Sequence, residues 1–238
     1  TRDSNIISFA HEINRSKVPD FQNCSSNSDC YFVDAKTPDD VRDKIETILS
    51  KSLPEAGYNT VSDVQVLTPM NQGDLGSIKL NQLIQELLNP TRGEQNPVLS
   101  KNHKITKGDK VIQLMNNYDL GVFNGDIGTV MHTRAMGYHI IVDFNGRVVK
   151  YSEEQALDVS LAYAITIHKS QGSEFPVVII PMSMQHYIML QRNIIYTALT
   201  RAKKLAIFVG DKKALSLAVR QSGSSIRQTN LDKLLEIV

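Results

Sequence analysis

The chain has 238 residues, of which 41% are hydrophobic and 21% charged, and its formal net charge is +1. This composition is typical of a globular protein and excludes a disordered tail or a fibrous repeat. The longest apolar runs, such as residues 177–180, are too short to span a bilayer, so we expect a cytoplasmic protein with no membrane partner. Because the net charge is close to zero, any contact with nucleic acid must be local.

The chain opens with Thr1 and a segment typical of a helix capped by Asp3 or Ser4, so we expect it to begin inside a longer polypeptide. Cys24 and Cys30 lie in a polar stretch without other cysteines or histidines at metal-binding spacing. We therefore expect two reduced thiols in the cytosol and no metal site.

Strands and helices alternate in the first part of the chain. Residues 30–35 and 64–69 are predicted strands, and the amphipathic segments 38–53 and 75–89 are predicted helices. Strands separated by helical crossovers indicate a parallel sheet with helices on its faces. The fold class that follows is α/β.

From about residue 98 the pattern changes to short apolar runs separated by glycine and asparagine. The dipeptides Asn124–Gly125 and Asn145–Gly146 are hairpin signals, because both tolerate the positive φ that two-residue turns need. These features predict a small antiparallel β-barrel.

The α/β pattern resumes after the barrel. A strand is predicted at 176–182, a helix around 186–203, a strand at 205–211, and a short apolar helix from Leu231. The barrel is therefore an insert. We predict that residues 1–97 and 159–238 form the α/β domain and that residues 98–158 form the barrel.

The sequence contains neither a GxxxxGK[ST] phosphate-binding loop nor an acidic strand-end motif for magnesium. It therefore lacks the usual cradle for a nucleoside triphosphate. We expect no ATP hydrolysis by this chain alone; its residues would complete a nucleotide site whose cradle another domain supplies.

The string TIHKSQGSEFP (166–176) joins an apolar run to a buried strand, so we expect it at a sheet edge where α/β folds bind ligands. Gly172 would let a backbone amide approach a phosphate, Gln171 can donate and accept hydrogen bonds, and Glu174 can accept from ribose hydroxyls. These three residues are predicted nucleotide contacts. The alternative for an isolated SQG sequence is a polar turn; the complete string favours the nucleotide site.

Arg201 follows a predicted helix and precedes a predicted strand, so its guanidinium is expected near the same crevice. A planar fork of donors suits the charge that develops on a transferring γ-phosphoryl group. Arg201 is therefore the predicted catalytic and nucleotide-binding residue. Lys203 and Lys204 are interpreted as a solvated basic turn.

Four polar residues are predicted to face nucleic acid. Thr166 and His168 lie just upstream of Gly172, and Thr68 and Asn71 follow a buried strand in a polar, glycine-containing loop. Asn124, in the predicted barrel, is a fifth predicted nucleic-acid contact. A buried core histidine and a plain strand-to-helix connection are the competing interpretations.

These strings together resemble the RecD family of superfamily 1 DNA helicases, specifically the second RecA-like motor domain. The resemblance covers nearly the whole chain. SNIISFAHEIN is similar to the segment after the RQ-containing motif, LTPMNQGDLGSIKLNQLIQELLNP to motif IV, KGDKVIQLMNNYDLGVFNGDIGTV to the start of the inserted SH3-like barrel, AYAITIHKSQGSEFP to motif V, and RNIIYTALTRAKK to motif VI.

The resemblance implies a RecA-like parallel sheet without the P-loop and an ATP-dependent helicase that moves 5′ to 3′ along single-stranded DNA in recombination or repair. ATP and Mg²⁺ would be bound mainly by an N-terminal motor domain of the same polypeptide, upstream of Thr1. The parent would be the exodeoxyribonuclease V alpha subunit, which has nuclease and second-helicase partners, or a stand-alone relative. Alternatives are a Pif1-type helicase, the helicase half of a conjugative relaxase, and a stand-alone DNA-binding or adaptor module.

Overall fold

The computed structural model describes residues 4–22, 28–89, 97–100, 103–186 and 189–221. The strands, in chain order, are β1 (Cys30–Asp34), β2 (Val64–Thr68), β3 (Val98–Ser100), β4 (His103–Ile105), β5 (Lys110–Gln113), β6 (Ile127–Ala135), β7 (Tyr138–Phe144), β8 (Arg147–Tyr151), β9 (Val159–Leu161), β10 (Ala164–Thr166), β11 (Phe175–Met182) and β12 (Ala202–Gly210). The helices are α1 (Asn5–Asn14), α2 (Pro38–Thr47), α3 (Leu53–Glu55), α4 (Ser77–Leu88), α5 (Arg192–Leu199) and α6 (Lys212–Arg220).

A five-stranded parallel sheet in the order β1-β12-β11-β2-β10 forms the centre of the structure. Side chains alternate between the two faces of a strand. In β11, Val177 and Ile179 therefore belong to one hydrophobic cluster, while Val178 and Ile180 belong to the other. This strand is buried on both faces, as the continuous apolar run 177–180 predicts.

Helices cover both faces of this sheet. Ile45 of α2 and Ile84 of α4 join the cluster on one face, and Phe9 of α1, Ile195 of α5 and Leu215 of α6 join the cluster on the other. Two layers of helices around a parallel sheet constitute the predicted α/β architecture.

The second sheet is antiparallel, with the order β8-β7-β6-β5-β9, and β3 pairs separately with β4. The Asn145–Gly146 turn is confirmed: both residues have positive φ, and Phe144 pairs with Arg147 across the turn. The Asn124–Gly125 hairpin is wrong, because these residues end a longer connection, 114–126, that closes on itself through the Asn117–Val122 bridge.

Several elements differ from their predicted bounds. Helix α5 begins only at Arg192, and the preceding residues 184–186 form a 3₁₀ turn. Strand β12 begins at Ala202, three residues before its predicted start, and α6 was not predicted. The predicted helix from Leu231 and the residue Cys24 lie outside the described residues.

The barrel is joined to the central sheet through a buried carboxylate. Asp109 is fully buried. It accepts hydrogen bonds from Gln85 of α4 and from Asn89 directly after that helix, from the backbone and hydroxyl of Thr106, and from the hydroxyl of Tyr163. Because these donors come from α4, from the barrel and from the chain that leaves it, Asp109 fixes the barrel on the parallel sheet.

Lys110 makes a second connection between the two parts. Its ammonium donates to the carbonyl of Val64 at 2.9 Å and lies 5.9 Å from the ring centroid of Phe175. Burial lowers the pKa of Lys110 to about 8, and Asp63 acts in the opposite direction. The first strand of the barrel is thus held at the amino ends of β2 and β11.

None of the helices in the described ranges combines the length and the apolar character that crossing a bilayer requires.

Candidate nucleotide and nucleic-acid site

The carboxyl ends of β2 and β10 bring two predicted nucleic-acid residues together. Thr68 pairs in register with Thr166. The hydroxyl of Thr68, which is fully buried, donates to the carbonyl of Leu75 at 2.7 Å. Thr68 therefore shapes the loop after β2, while its side chain does not face solvent.

Asn71 is exposed in that loop, and its side-chain oxygen accepts from the hydroxyl of Ser77 at 2.9 Å. Since Ser77 begins α4, this bond ties the loop to the helix. Asn71 and Thr166 both line a cleft of about 320 Å³ between the parallel sheet and the barrel. Other residues of its wall are Gln72, Asn81, His103, Leu114 and Lys169.

The predictions from sequence missed several polar residues of this cleft, among them Asn81, His103 and Lys169. Burial lowers the pKa of His103, so its neutral form is favoured. The side chain of Asn81 donates to the carbonyl of Ala164 at 2.7 Å and accepts from its N–H at 2.8 Å. Asn81 therefore holds the short edge strand β10 in place.

A sequence signal for this arrangement exists. Asn81 and Gln85 of α4 and Asn89, its C-cap, recur at intervals of four, which is the spacing of one helix face. All three are buried. Amides repeated on a helix face that also carries leucine and isoleucine indicate a buried polar network, because buried polar groups need partners.

The segment 167–174 crosses from one edge of the sheet to the other. Thr166 is level with Thr68, and Val177 is level with Val64. On β2, Thr68 lies four positions after Val64, and on β11, Phe175 lies two positions before Val177. The segment therefore returns over six strand positions, a distance of roughly 20 Å along the strands. The predicted position at a single ligand-binding edge is therefore corrected: only the start of the string lies at the carboxyl edge.

The end of this crossing segment meets Arg201 at the amino edge of the sheet. The guanidinium of Arg201 donates to the carbonyls of Ser173 at 3.2 Å and Thr197 at 3.3 Å, and more weakly to the hydroxyl of Thr200 at 3.5 Å. In return, the Arg201 carbonyl accepts from the N–H of Phe175 at 2.8 Å. Three of the five guanidinium N–H groups are thus engaged, and two are left to donate elsewhere.

The predicted nucleotide residues Gly172 and Glu174 flank Ser173, whose carbonyl accepts from Arg201. Gly172 has φ +85° and open space around the position that a Cβ would occupy. Gln171 is exposed, and its N–H donates to the carbonyl of His168, which is itself exposed. Glu174 pairs with Lys203 at 3.1 Å, with both side chains more than half exposed, so the pair is weak enough to be exchanged for a ligand.

Asn124 lies apart from both edges, in the connection 114–126 of the barrel, where its N–H donates to the side chain of Asn116 at 2.9 Å. The structure therefore brings Asn71 and Thr166 together at the carboxyl edge, and Gly172, Glu174 and Arg201 together at the amino edge. His168 lies on the segment between them.

Comparison with known families agrees with both parts of the fold. Residues 161–209 match the UvrD-like helicase C-terminal domain, and residues 80–144 match the SH3 domain of ATP-dependent RecD-like DNA helicases. Over 171 residues the chain is 37% identical to the ATP-dependent RecD2 DNA helicase of Deinococcus radiodurans, covering 72% of this chain and 23% of the relative. The chain belongs to the RecD family of superfamily 1 helicases.

A second RecD-family relative is the RecBCD enzyme subunit RecD of Haemophilus influenzae, 33% identical over 190 residues, with 78% of this chain and 27% of the relative covered. The RecD-family chain thus spans about a quarter of the length of these two relatives. The predicted resemblance to the RecD family is confirmed.

Two solved structures share the fold of this RecD-family chain. The Pif1 helicase from Candida albicans superimposes with a TM-score of 0.53 at 17% identity, covering 98% of this chain and 57% of that chain. Bacteroides Pif1 bound to single-stranded DNA gives 0.52 at 18% identity, covering 87% and 50%. The likeness supports the RecA-like α/β architecture with its SH3-like insert.

Proposed function

We propose that this chain is the second motor domain of a RecD-type, ATP-dependent DNA helicase that moves 5′ to 3′ along a single strand. The observation that carries the proposal is the crossing segment 167–174. It starts at the cleft beside Thr166, and near its end the carbonyl of Ser173 accepts from Arg201. A motor has to couple nucleotide to nucleic acid, and one short segment joins the two candidate regions.

On the nucleotide side, Arg201 serves as the finger for the γ-phosphate. Its two remaining N–H donors suit two phosphate oxygens, and its bonds to Ser173 and Thr197 fix the guanidinium before the ligand arrives. Gln171, Gly172 and Glu174 line the approach. Open space at Gly172 allows a phosphate to come close to the backbone.

On the nucleic-acid side, the cleft takes the backbone of a single strand. Asn71, Thr166 and Lys169 line it and supply amide, hydroxyl and ammonium donors. His168 and, on the barrel, Asn124 are further contacts. Thr68 acts through the loop that it fixes. With a net charge of +1 for the whole chain, binding rests on these local groups.

The complete protein supplies the rest of the nucleotide site. ATP and Mg²⁺ are bound mainly by a first motor domain of the same polypeptide, because no phosphate-binding loop occurs in this sequence. Relatives named as RecBCD enzyme subunits support nuclease and second-helicase subunits as partners in an assembly of exodeoxyribonuclease V type. We also propose that residues 98–158 form the barrel domain and that residues 1–97 and 159–238 form the motor domain.

The test is the substitution Arg201→Ala in the full-length protein. DNA-stimulated ATP hydrolysis is expected to fall about 10³- to 10⁵-fold, because an arginine finger contributes that much to phosphoryl transfer. Single-strand affinity is expected to stay within a few-fold, since Arg201 lies at the edge of the sheet opposite the cleft. Steady-state ATPase assays and oligonucleotide binding measure the two effects.

Lys204→Ala is the matched control, because Lys204 is an exposed basic residue three positions further along. Its turnover should equal that of the unsubstituted protein. Unchanged ATP hydrolysis in Arg201→Ala would contradict the finger assignment. Polarity is tested with partial duplexes that carry a 5′ or a 3′ single-stranded tail; unwinding of the 3′-tailed substrate alone would refute the proposed direction.

A further inference from the structure

Two aromatic rings stand in solvent on the connection between β5 and β6, residues 114–126, here called the aromatic loop. Tyr118 is 78% exposed and Phe123 is 45% exposed. Their ring centroids are 6.0 Å apart with an interplanar angle of 78°, an edge-to-face contact. Met115, 58% exposed, lies in the same loop.

Hydrogen bonds within the aromatic loop fix the conformation of its backbone. Asn117 and Val122 exchange two backbone hydrogen bonds of 2.8 and 3.0 Å, and the Asn117 side chain accepts from the N–H of Leu120. The N–H of Phe123 donates to Asp126, which also pairs with Arg147 at 2.9 Å. A loop backbone held in this way loses little conformational freedom when a ligand arrives.

The loop begins in the wall of the cleft that carries the candidate nucleic-acid contacts. Ile112 and Leu114 line this cleft together with Asn71 and Thr166. The N–H of Leu114 is bonded to the carbonyl of Asp158 at 2.7 Å, which fixes the point where the chain leaves the cleft. The exposed part of the loop starts at the next residue, Met115.

The apolar area of the two rings is too small for a protein partner. An aromatic side chain has about 150–250 Å² of surface, so the exposed fractions of Tyr118 and Phe123 amount to roughly 250 Å² together. A stable protein interface takes about 800 Å² from each side. Polar and charged residues surround the rings: Asn116, Asp119, Asn124, Asp126 and Arg147.

We propose that Tyr118 and Phe123 form a stacking platform for a base of the single strand held in the adjacent cleft. This proposal rests on the proposed function and adds a base contact to the backbone contacts given there. Tyr118, the more exposed ring, stacks on the base, and Phe123 supports it edge-on. Stacking uses the face that every base has, so the platform binds without sequence preference, as translocation requires.

The test uses the full-length protein and oligo-dT binding followed by fluorescence anisotropy. Tyr118→Ala is expected to weaken the affinity about 5- to 150-fold, the loss of one stacked base. Tyr118→Phe keeps the ring and should bind within about twofold of the unsubstituted protein. The slope of log affinity against log salt should stay the same in both variants, because no phosphate contact is removed.

Tyr138→Ala is the matched control, since Tyr138 is another exposed tyrosine of the barrel, 39% exposed, and is not part of the cleft wall. It should leave the affinity unchanged. A second readout is Tyr118→Trp: this chain contains no tryptophan, so quenching of the added fluorescence by oligo-dT, relative to the parent protein, reports stacking.

The outcomes of these measurements distinguish failure of the stacking platform from failure of the proposed function. If the unsubstituted protein binds and unwinds DNA and Tyr118→Ala binds equally well, the platform is refuted and the proposed function stands. An affinity loss with a smaller salt slope also overturns the platform, because it indicates lost phosphate contacts. If the unsubstituted protein binds no single strand, both proposals fail.

Discussion

Replacing Asp109 with alanine tests how firmly the barrel is fixed to the motor sheet. The Asp109 carboxylate accepts five hydrogen bonds: one each from Gln85 and Asn89, two from Thr106 and one from Tyr163. Alanine would leave these donors without their acceptor in a region closed to water, because Asp109 is fully buried. We expect a large loss of stability.

The magnitude follows from the hydrogen bonds and the cost of burial. Bonds to charged groups contribute about 1.5–3 kcal/mol each, but burying a carboxylate costs several kcal/mol, so the five do not simply add. Leaving a buried donor without its acceptor costs about 1–3 kcal/mol, and losing the carboxylate relieves part of its burial cost, so we expect a net loss of about 3–5 kcal/mol. A domain of this size loses about 2–4 °C per kcal/mol, so the melting temperature should fall by roughly 6–20 °C.

Urea unfolding followed by circular dichroism measures the free energy of unfolding of the variant and its parent. Asp109→Asn keeps the shape of the side chain but places an NH₂ group where the surrounding groups are donors. Its stability should therefore fall nearly as much as that of Asp109→Ala. Asp43→Ala on the exposed side of α2 is the control and should change stability by no more than about 0.5 kcal/mol. A loss below 1 kcal/mol in Asp109→Ala would refute the reasoning.

Two further predictions concern the same junction. Because burial lowers the pKa of Lys110 to about 8 from 10.5, the unfolded chain binds more protons between these values, and stability should rise with pH there. Between pH 8 and 9.5 the free energy of unfolding should rise by about 2 kcal/mol, and this rise should be absent in Lys110→Met. Urea unfolding at each pH measures it. An equal dependence of stability on pH in both proteins would contradict the assignment. Asn81→Leu should weaken single-strand binding, because it releases β10 beside the cleft. Asn14→Leu on α1 is the control and should leave the affinity unchanged. Fluorescence anisotropy measures both affinities, and equal values would count against the role of Asn81.

Much of the fold could be predicted because hydrophobic periodicity depends on neighbours in sequence. The run 177–180 is a central strand buried on both faces, and the helices 38–53 and 75–89 were found within a few residues. Short pieces were missed. The strands β9 and β10 have three residues each, too few for a period, and their place depends on partners far along the chain.

The candidate site was predictable as a set of residues but not as a geometry. The string 166–176 identified the segment, yet only the register of the parallel sheet shows that its two ends lie at opposite edges. The buried position of Thr68 likewise follows from a bond to Leu75, seven residues away, that no pattern of residue types announces. Sites built across an element need the pairing of strands, which local sequence does not contain.

The bond pair between Asn81 and Ala164 also has a consequence for self-association. β10 is an edge strand of the parallel sheet, and an unpaired edge can recruit a strand of another molecule. The amide of Asn81 takes the outward N–H and carbonyl of Ala164 together, as a neighbouring strand would. One side chain therefore occupies the outward hydrogen-bonding groups at the start of this edge strand, where a strand of another molecule would otherwise pair.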